Sequence, residues 1–355
     1  MNTQPLSELE AESNRVEGNT EHFLEVFTRA QVDLAKYRHI TPDQAREILP
    51  RQVWGPIREG TLTLLGGESK ARKSWFALDF AMHAVTGAAF LGMESPQPAA
   101  GERRAVILDF ELLETNLVSR FVALSGRWWN DTEESAAIWG RITLHSYRRL
   151  MGEAVDWIGH ICQVARTLAR GDLLVADCLQ PIFDGDTNHP GEVRRALARL
   201  QAAATESGCA ILLVDHFSKS TEAKGKNRLS GSMAKSAAPD CILLMEGKGG
   251  EFVELGFELR MDPPRDAVLL AFESATTGFR LVPEVEAAAR REAAAQARQD
   301  ERMVRAMPEA GTSYTRKEMA GNAGVHPNTI DNWLPDFGDS VEVLDGNPKR
   351  FRRNP

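Results

Sequence analysis

Gly67-Glu68-Ser69-Lys70-Ala71-Arg72-Lys73-Ser74 is the stretch that decides the fold of this chain. The apolar run Leu62-Thr63-Leu64-Leu65 precedes it and Trp75-Phe76-Ala77-Leu78 follows, so strand, glycine turn, Lys-Ser and helix come in that order. That order builds a phosphate cradle, because the N–H groups of the loop and the positive end of the helix dipole face one anion. In such a loop Gly67, Glu68, Ser69, Lys70, Ala71 and Arg72 wrap the phosphates. Lys73 reaches the β- and γ-phosphates of ATP, and the Ser74 hydroxyl ligates Mg²⁺. Arg72 stands where G-x-x-x-x-G-K-[ST] has its second glycine, so a side chain must there accept a backbone conformation that glycine adopts more easily.

Working outward, the chain has 355 residues, 43% hydrophobic and 26% charged, the composition of an ordinary globular protein with room for two domains or three short ones. Cys162, Cys178, Cys209 and Cys241 lack metal-ligand or C-x-x-C spacing and read as small buried hydrophobes in a reducing cytoplasm. No apolar run approaches a membrane span, and the amino terminus lacks a basic segment followed by an apolar one, so no membrane association or secretion signal is expected. The net charge of −8 argues against a wholly basic nucleic-acid binder, while leaving room for a local basic face.

Residues 1–50 read as a partly disordered helical appendage, with a capped helix start at Thr41-Pro42-Asp43-Gln44. From 51 to 283 short apolar runs alternate with helical patterns. Candidate strands are Thr61–Leu65, Ala105–Asp109, Ile142–His145, Leu173–Asp177, Ala210–Asp215 and Cys241–Met245. Several are continuously apolar, as in a parallel sheet covered by helices on both faces. Phe252–Leu259, Ala267–Phe272 and Gly278–Leu281 read as an antiparallel meander closing one edge. Residues 284–301, rich in Ala, Glu, Arg and Gln, read as a solvated linker helix. The expected fold is therefore α/β, mostly parallel, with a small module at 302–355.

Further chemistry gathers at the strand ends. Leu173-Leu174-Val175-Ala176-Asp177 ends in a carboxylate suited to orienting Mg²⁺. Asp109-Phe110-Glu111 ends the second strand, and Glu111 is the candidate for polarising an attacking water. His216 follows the fifth strand, within expected reach of the γ-phosphate. The next loop holds Lys219, Lys224, Lys226 and Arg228, and is either an ordinary surface or a contact to a phosphate backbone.

Together these features resemble the RecA-like ATPases, in particular the branch around the RepA hexameric replicative helicase of mobilisable plasmids. The likeness rests on the loop 68–74, Ile107-Leu108-Asp109-Phe110-Glu111, Val175-Ala176-Asp177 with Asp186-Thr187-Asn188, Asp215-His216-Phe217-Ser218-Lys219, and Gly231-Ser232, across about residues 50–282. It implies a homo-oligomeric ring, commonly of six, with ATP bound between neighbours and a central channel for single-stranded DNA. By the same likeness Glu111 is the catalytic base, Asp177 the Walker B acid, His216 the sensor, Lys219–Arg228 a channel loop, and Arg260 the arginine finger. Asp240 stands where the plasmid helicase carries its own finger arginine.

The carboxyl-terminal stretch places a helix from Arg302, a second from Thr315 to Ala320 closed by Gly321 to Gly324, a third from His326 to Leu334, and a hairpin over 341–352. It resembles a winged helix-turn-helix domain. Asn328, Thr329 and Asn332 are its candidates for a major groove, and Arg316, Lys317, Arg350 and Arg352 for phosphates. The sequence therefore suggests an ATPase acting on DNA in replication of a plasmid, phage or other mobile element. An ATP-gated DNA-binding regulator, or a nucleotide-dependent protein scaffold, is the competing reading.

Overall fold

The computed structural model describes residues 50–93, 103–126, 137–183, 189–216, 234–274, 277–346 and 348–354. The amino-terminal appendage up to residue 49, the turn 184–188, the basic loop 217–230 and Gly231-Ser232 lie outside the described residues. Residues 52–355 form one compact unit, and residues 1–51 another.

A short hairpin, β1 (Gln52–Trp54) and β2 (Ile57–Arg58), precedes a sheet of nine strands. Its strands are β3 (Leu62–Gly67), β4 (Ala105–Asp109), β5 (Ile142–Ser146), β6 (Leu173–Asp177), β7 (Ala210–His216), β8 (Cys241–Gly247), β9 (Phe252–Leu259), β10 (Val268–Glu273) and β11 (Gly278–Leu281). The spatial order is β11-β10-β9-β8-β3-β7-β6-β4-β5. The pairs from β8 across to β5 are parallel, and β9 to β11 close the other edge antiparallel. This is the α/β fold expected for a RecA-like domain.

The continuous apolar strands divide their side chains between two cores. Leu65, Val175, Leu212 and Leu243 face the Lys73–Thr86 helix, which contributes Phe76 and Phe80. Leu64, Leu174, Ile211, Leu213 and Ile242 face the Trp157–Arg166 and Pro190–Ser207 helices. Period-two side chains thus fill both faces, which is why no polar alternation marks these strands. The first core also holds Trp54 and Phe90, whose rings lie 5.2 Å apart between centroids beneath the phosphate-loop helix.

One boundary differs from the sequence reading. A single unbroken helix, Glu284–Ala306, runs through both the expected linker and the expected first helix of the small module. No glycine or proline interrupts this run of strong helix formers before Pro308. Its near end packs Ala287 against Ala271 and Val282, and its far end buries Ala306 with Met319, Ile330 and Phe351.

That last cluster is the core of two helices, Arg316–Ala323 and Pro327–Phe337, and three strands. They are β12 (Ser313–Thr315), β13 (Val341–Leu344) and β14 (Arg350–Arg353), in the order β12-β14-β13. The β13–β14 hairpin falls where its turn signal placed it; β12, three residues long, gave no sequence pattern of its own. Thr315 and Glu318 form a reciprocal capping box at the first of these helices.

Candidate functional site

The carboxyl ends of β3, β7, β6 and β4 lie side by side, so Gly67, His216, Asp177 and Asp109 line one edge of the sheet. Gly67 is register partner of His216, and Asp109 of Asp177. Between β3 and its helix the loop turns through two left-handed residues, Lys70 (φ 69°) and Arg72 (φ 63°). Such a turn gathers successive N–H groups toward one point, the anion nest of a phosphate site.

Two positions in the loop carry special demands. Gly67 has no room for a Cβ, which would meet the Met245 carbonyl oxygen at 2.7 Å and Lys73 Cδ at 3.0 Å. Arg72 takes up the conformation of the glycine it replaces, at a cost of about 1 kcal/mol for a residue with a Cβ. Its side chain is held outside the loop. The guanidinium lies 4.5 Å from the Phe272 ring centroid, and Nη1 donates to the Gly250 carbonyl at 3.4 Å. The departure from the glycine pattern is thus absorbed by β10 and the β8–β9 turn, with the phosphate path left free of the Arg72 side chain.

Lys73 is 5% exposed, and its three ammonium protons have three acceptors: the Gly67 carbonyl at 3.0 Å, the Glu68 carbonyl at 2.9 Å and His216 Nδ1 at 3.2 Å. Burial draws its pKa down, against the pull of Asp177 and other nearby acids. With Nδ1 accepting, His216 Nε2 carries the ring proton and donates to Glu111 Oε1 at 3.4 Å. Glu111 also accepts the Cys178 thiol at 3.0 Å. The His216 and Cys178 hydrogen bonds, opposed by partial burial, hold the Glu111 carboxyl down at about 2. Glu111 is consequently a carboxylate throughout the physiological range, as a general base must be.

Asp177 is buried, which raises its pKa, and it accepts the Ser74 hydroxyl. Ser74 and Asp177 together supply hard oxygen donors beside the cradle, a set that fits Mg²⁺. Asp109 was expected to share a strand face with Glu111, but β4 ends at Asp109 and Glu111 reaches the site from the bend that follows. The Asp109 carboxylate turns back to accept the N–H groups of Glu111 and Leu112 at 2.9 and 2.6 Å, fixing that bend.

Burial, and then the nearby Asp177, raise Asp109 to about 7. An unfolded aspartate ionises near 3.8, so between these values the folded chain holds a proton that the unfolded chain has released. This contribution to stability falls as pH rises through that window. Asp109→Asn keeps an acceptor for the two N–H groups and removes the charge. Its stabilising effect should be larger at pH 8 than at pH 5 by on the order of 1–3 kcal/mol. Denaturant unfolding in metal-free buffer measures this; equal effects at the two pH values would refute the assignment.

Sequence reasoning missed several members of the site. Cys178 was read as inert core, yet its thiol touches Glu111. Asp215 and Lys235 form a buried pair at 2.8 Å. The pair ties the strand end beside His216 to the Ala234–Ala237 turn across the 217–233 stretch. Nothing in the local sequence signals that long-range partner.

Arg260 is not brought to this site within one chain. It is exposed and follows β9, where Leu259 pairs with Cys241 at the amino end of β8, the edge opposite the cradle. Asp240 accepts the Leu62 N–H at 3.1 Å, a local tie at that same edge.

In the carboxyl-terminal module Lys317, Asn328 and Asn332 are exposed and Thr329 is half-buried. Arg316 pairs with Asp331 at 2.7 Å, Arg350 donates to the carbonyl of Ser313 at 2.6 Å, and Arg352 pairs with Glu342. The four cations of the basic loop, Lys219, Lys224, Lys226 and Arg228, lie outside the described residues.

The strand–loop–helix cradle, the strand-end acid and the parallel sheet define a RecA-like P-loop ATPase. A family profile described as an AAA domain (AAA_25) matches residues 31–222, more than half of the chain, and the chain belongs to that family. Among solved structures, a helicase ATPase domain aligns at a TM-score of 0.52 and 12% identity over 71% of this chain and 100% of that chain. The RadB recombinase aligns at 0.46 and 14% identity, over 64% of this chain and 94% of that chain. No curated protein matches. Among the described residues, no helix is long and apolar enough to cross a membrane.

Proposed function

We propose that this chain is a Mg²⁺-dependent ATPase of the RepA type. It assembles into a ring, of six subunits by the family resemblance, and acts on DNA during replication of a plasmid, phage or other mobile element. The observation that carries the reading is the contact line Lys73–His216–Glu111 along the carboxyl edge of β3, β7 and β4. It joins the phosphate-binding lysine to a carboxylate base through the histidine that leads directly into the basic loop. Lys73 moves from the loop carbonyls to the phosphates, His216 loses that partner, and its hydrogen bond to Glu111 reports the change to residues 217–233. Glu111 takes a proton from the attacking water. Mg²⁺, when held by Ser74 and Asp177, neutralises charge on the phosphate oxygens.

Arg260, at the opposite edge, serves a neighbour's nucleotide. The cations Lys219, Lys224, Lys226 and Arg228 face single-stranded DNA in the channel. The carboxyl-terminal module acts as a winged helix-turn-helix, directing Lys317, Asn328, Thr329 and Asn332 at duplex DNA.

A second reading, an ATP-gated DNA-binding regulator with little translocation, draws on two observations. Asp240 stands in the finger position and is engaged with its own β3, and the arginines Arg316, Arg350 and Arg352 are held by neighbouring groups. A forked duplex with labelled strands separates the readings. ATP-dependent strand displacement is the expected result, and nucleotide-dependent binding without displacement would favour the regulator.

A further inference from the structure

Glu111, Cys178 and His216 come from three separate strands, and one ligand atom from each lies within 4.8 Å of the others. Cys178 Sγ is 3.0 Å and His216 Nε2 is 3.4 Å from Glu111 Oε1. A tetrahedral zinc ion with Zn–N and Zn–S bonds of ordinary length sets its ligand atoms roughly 3.3–3.8 Å apart. Shifts of a few tenths of an ångström in side chains at the open edge of the sheet would satisfy that geometry. Thiolate, imidazole and carboxylate together form a borderline-soft donor set, which selects Zn²⁺ or Co²⁺ over Mg²⁺. The Mg²⁺ ligands, Ser74 and Asp177, are all oxygen and none belongs to this trio.

We infer that Glu111, Cys178 and His216 form a binding site for a thiophilic divalent cation, Zn²⁺ in particular, and that its occupation switches the ATPase off. Three protein ligands leave a fourth position for solvent or a phosphate oxygen. The ion takes the Glu111 oxygen that would accept a proton from water and fixes the His216 ring away from its signalling hydrogen bond. Coordination removes the thiol proton of Cys178 to solvent. The ring proton moves from Nε2 to Nδ1, so His216 stays neutral and Lys73 releases it. Lys73 thus opposes the metal while it rests on Nδ1, and a phosphate that draws Lys73 away removes that opposition.

The binding part rests on geometry alone, while the inhibitory part rests on the proposed hydrolysis. The full chain, in a thiol-free reductant and without nucleotide, is titrated with Co²⁺. A thiolate-to-cobalt charge-transfer band saturating at one ion per chain is expected, and Zn²⁺ should abolish it. Cys162, Cys209 and Cys241 are buried and belong to no metal-ligand cluster among the described residues, so the band should vanish in Cys178→Ser. Circular dichroism establishes that this variant folds. Glu111→Ala, a second variant, should bind Co²⁺ roughly tenfold or more weakly.

Absence of the band, or its persistence in Cys178→Ser, would overturn the site. With the band present, hydrolysis in excess Mg²⁺ should fall several-fold with Zn²⁺ and recover with a chelator. Unchanged turnover on a loaded site would overturn the inhibitory role. Loss of all hydrolysis in metal-free wild-type protein would instead count against the ATPase reading and leave the cobalt result standing.

Discussion

Glu111→Gln should lower ATP turnover about a hundredfold or more while nucleotide affinity stays within a few-fold of wild type. Glutamine keeps the shape and a carbonyl oxygen for the Cys178 thiol and the His216 ring, so the site's packing survives. It removes only the base. Because hydrogen bonds from His216 and Cys178 hold the wild-type carboxyl at about 2, the wild-type rate should show no loss attributable to Glu111 protonation above pH 5. Steady-state hydrolysis and fluorescent-nucleotide binding, compared in the two proteins, measure both quantities. An equal loss of affinity and turnover would move Glu111 from catalysis to binding.

Lys73→Ala should remove both binding and hydrolysis, with kcat/KM falling at least about a thousandfold, because the cation serves the ground state and the transition state alike. The wild-type ammonium has three acceptors on the protein, and phosphate oxygens replace them when nucleotide binds. Alanine leaves the Gly67 and Glu68 carbonyls at a loop edge, so the fold should hold. Thermal unfolding of the variant checks this, and a variant that folds and still hydrolyses at the wild-type rate would displace Lys73 from the site.

How much of this was legible in the sequence depends on whether a feature is local. The loop 67–74 announced itself because strand, glycine turn and Lys-Ser are contiguous, and the strained position of Arg72 followed from the missing glycine. The parallel strands were legible as apolar runs bounded by turns, each short of its true carboxyl end by up to two residues. Those last residues, Gly66-Gly67 in β3 and Glu246-Gly247 in β8, have little β-propensity and are held by register with neighbours.

Pairings across the fold were not legible. Arg72 meets Phe272 only because β10 passes over the loop, and Cys178 meets Glu111 only because β4 and β6 are adjacent. The linker was misjudged for a different reason. Its polar, alanine-rich composition correctly gave a helix, but composition cannot show that the helix continues into the next core without a break.

The most direct test of the central claim is ATP hydrolysis by the purified chain in Mg²⁺, with and without single-stranded DNA, with assembly state measured by mass photometry. Hydrolysis by a ring-sized oligomer, rising several-fold with single strand, is the predicted result. A monomer that binds ATP and shows no turnover under either condition would contradict it.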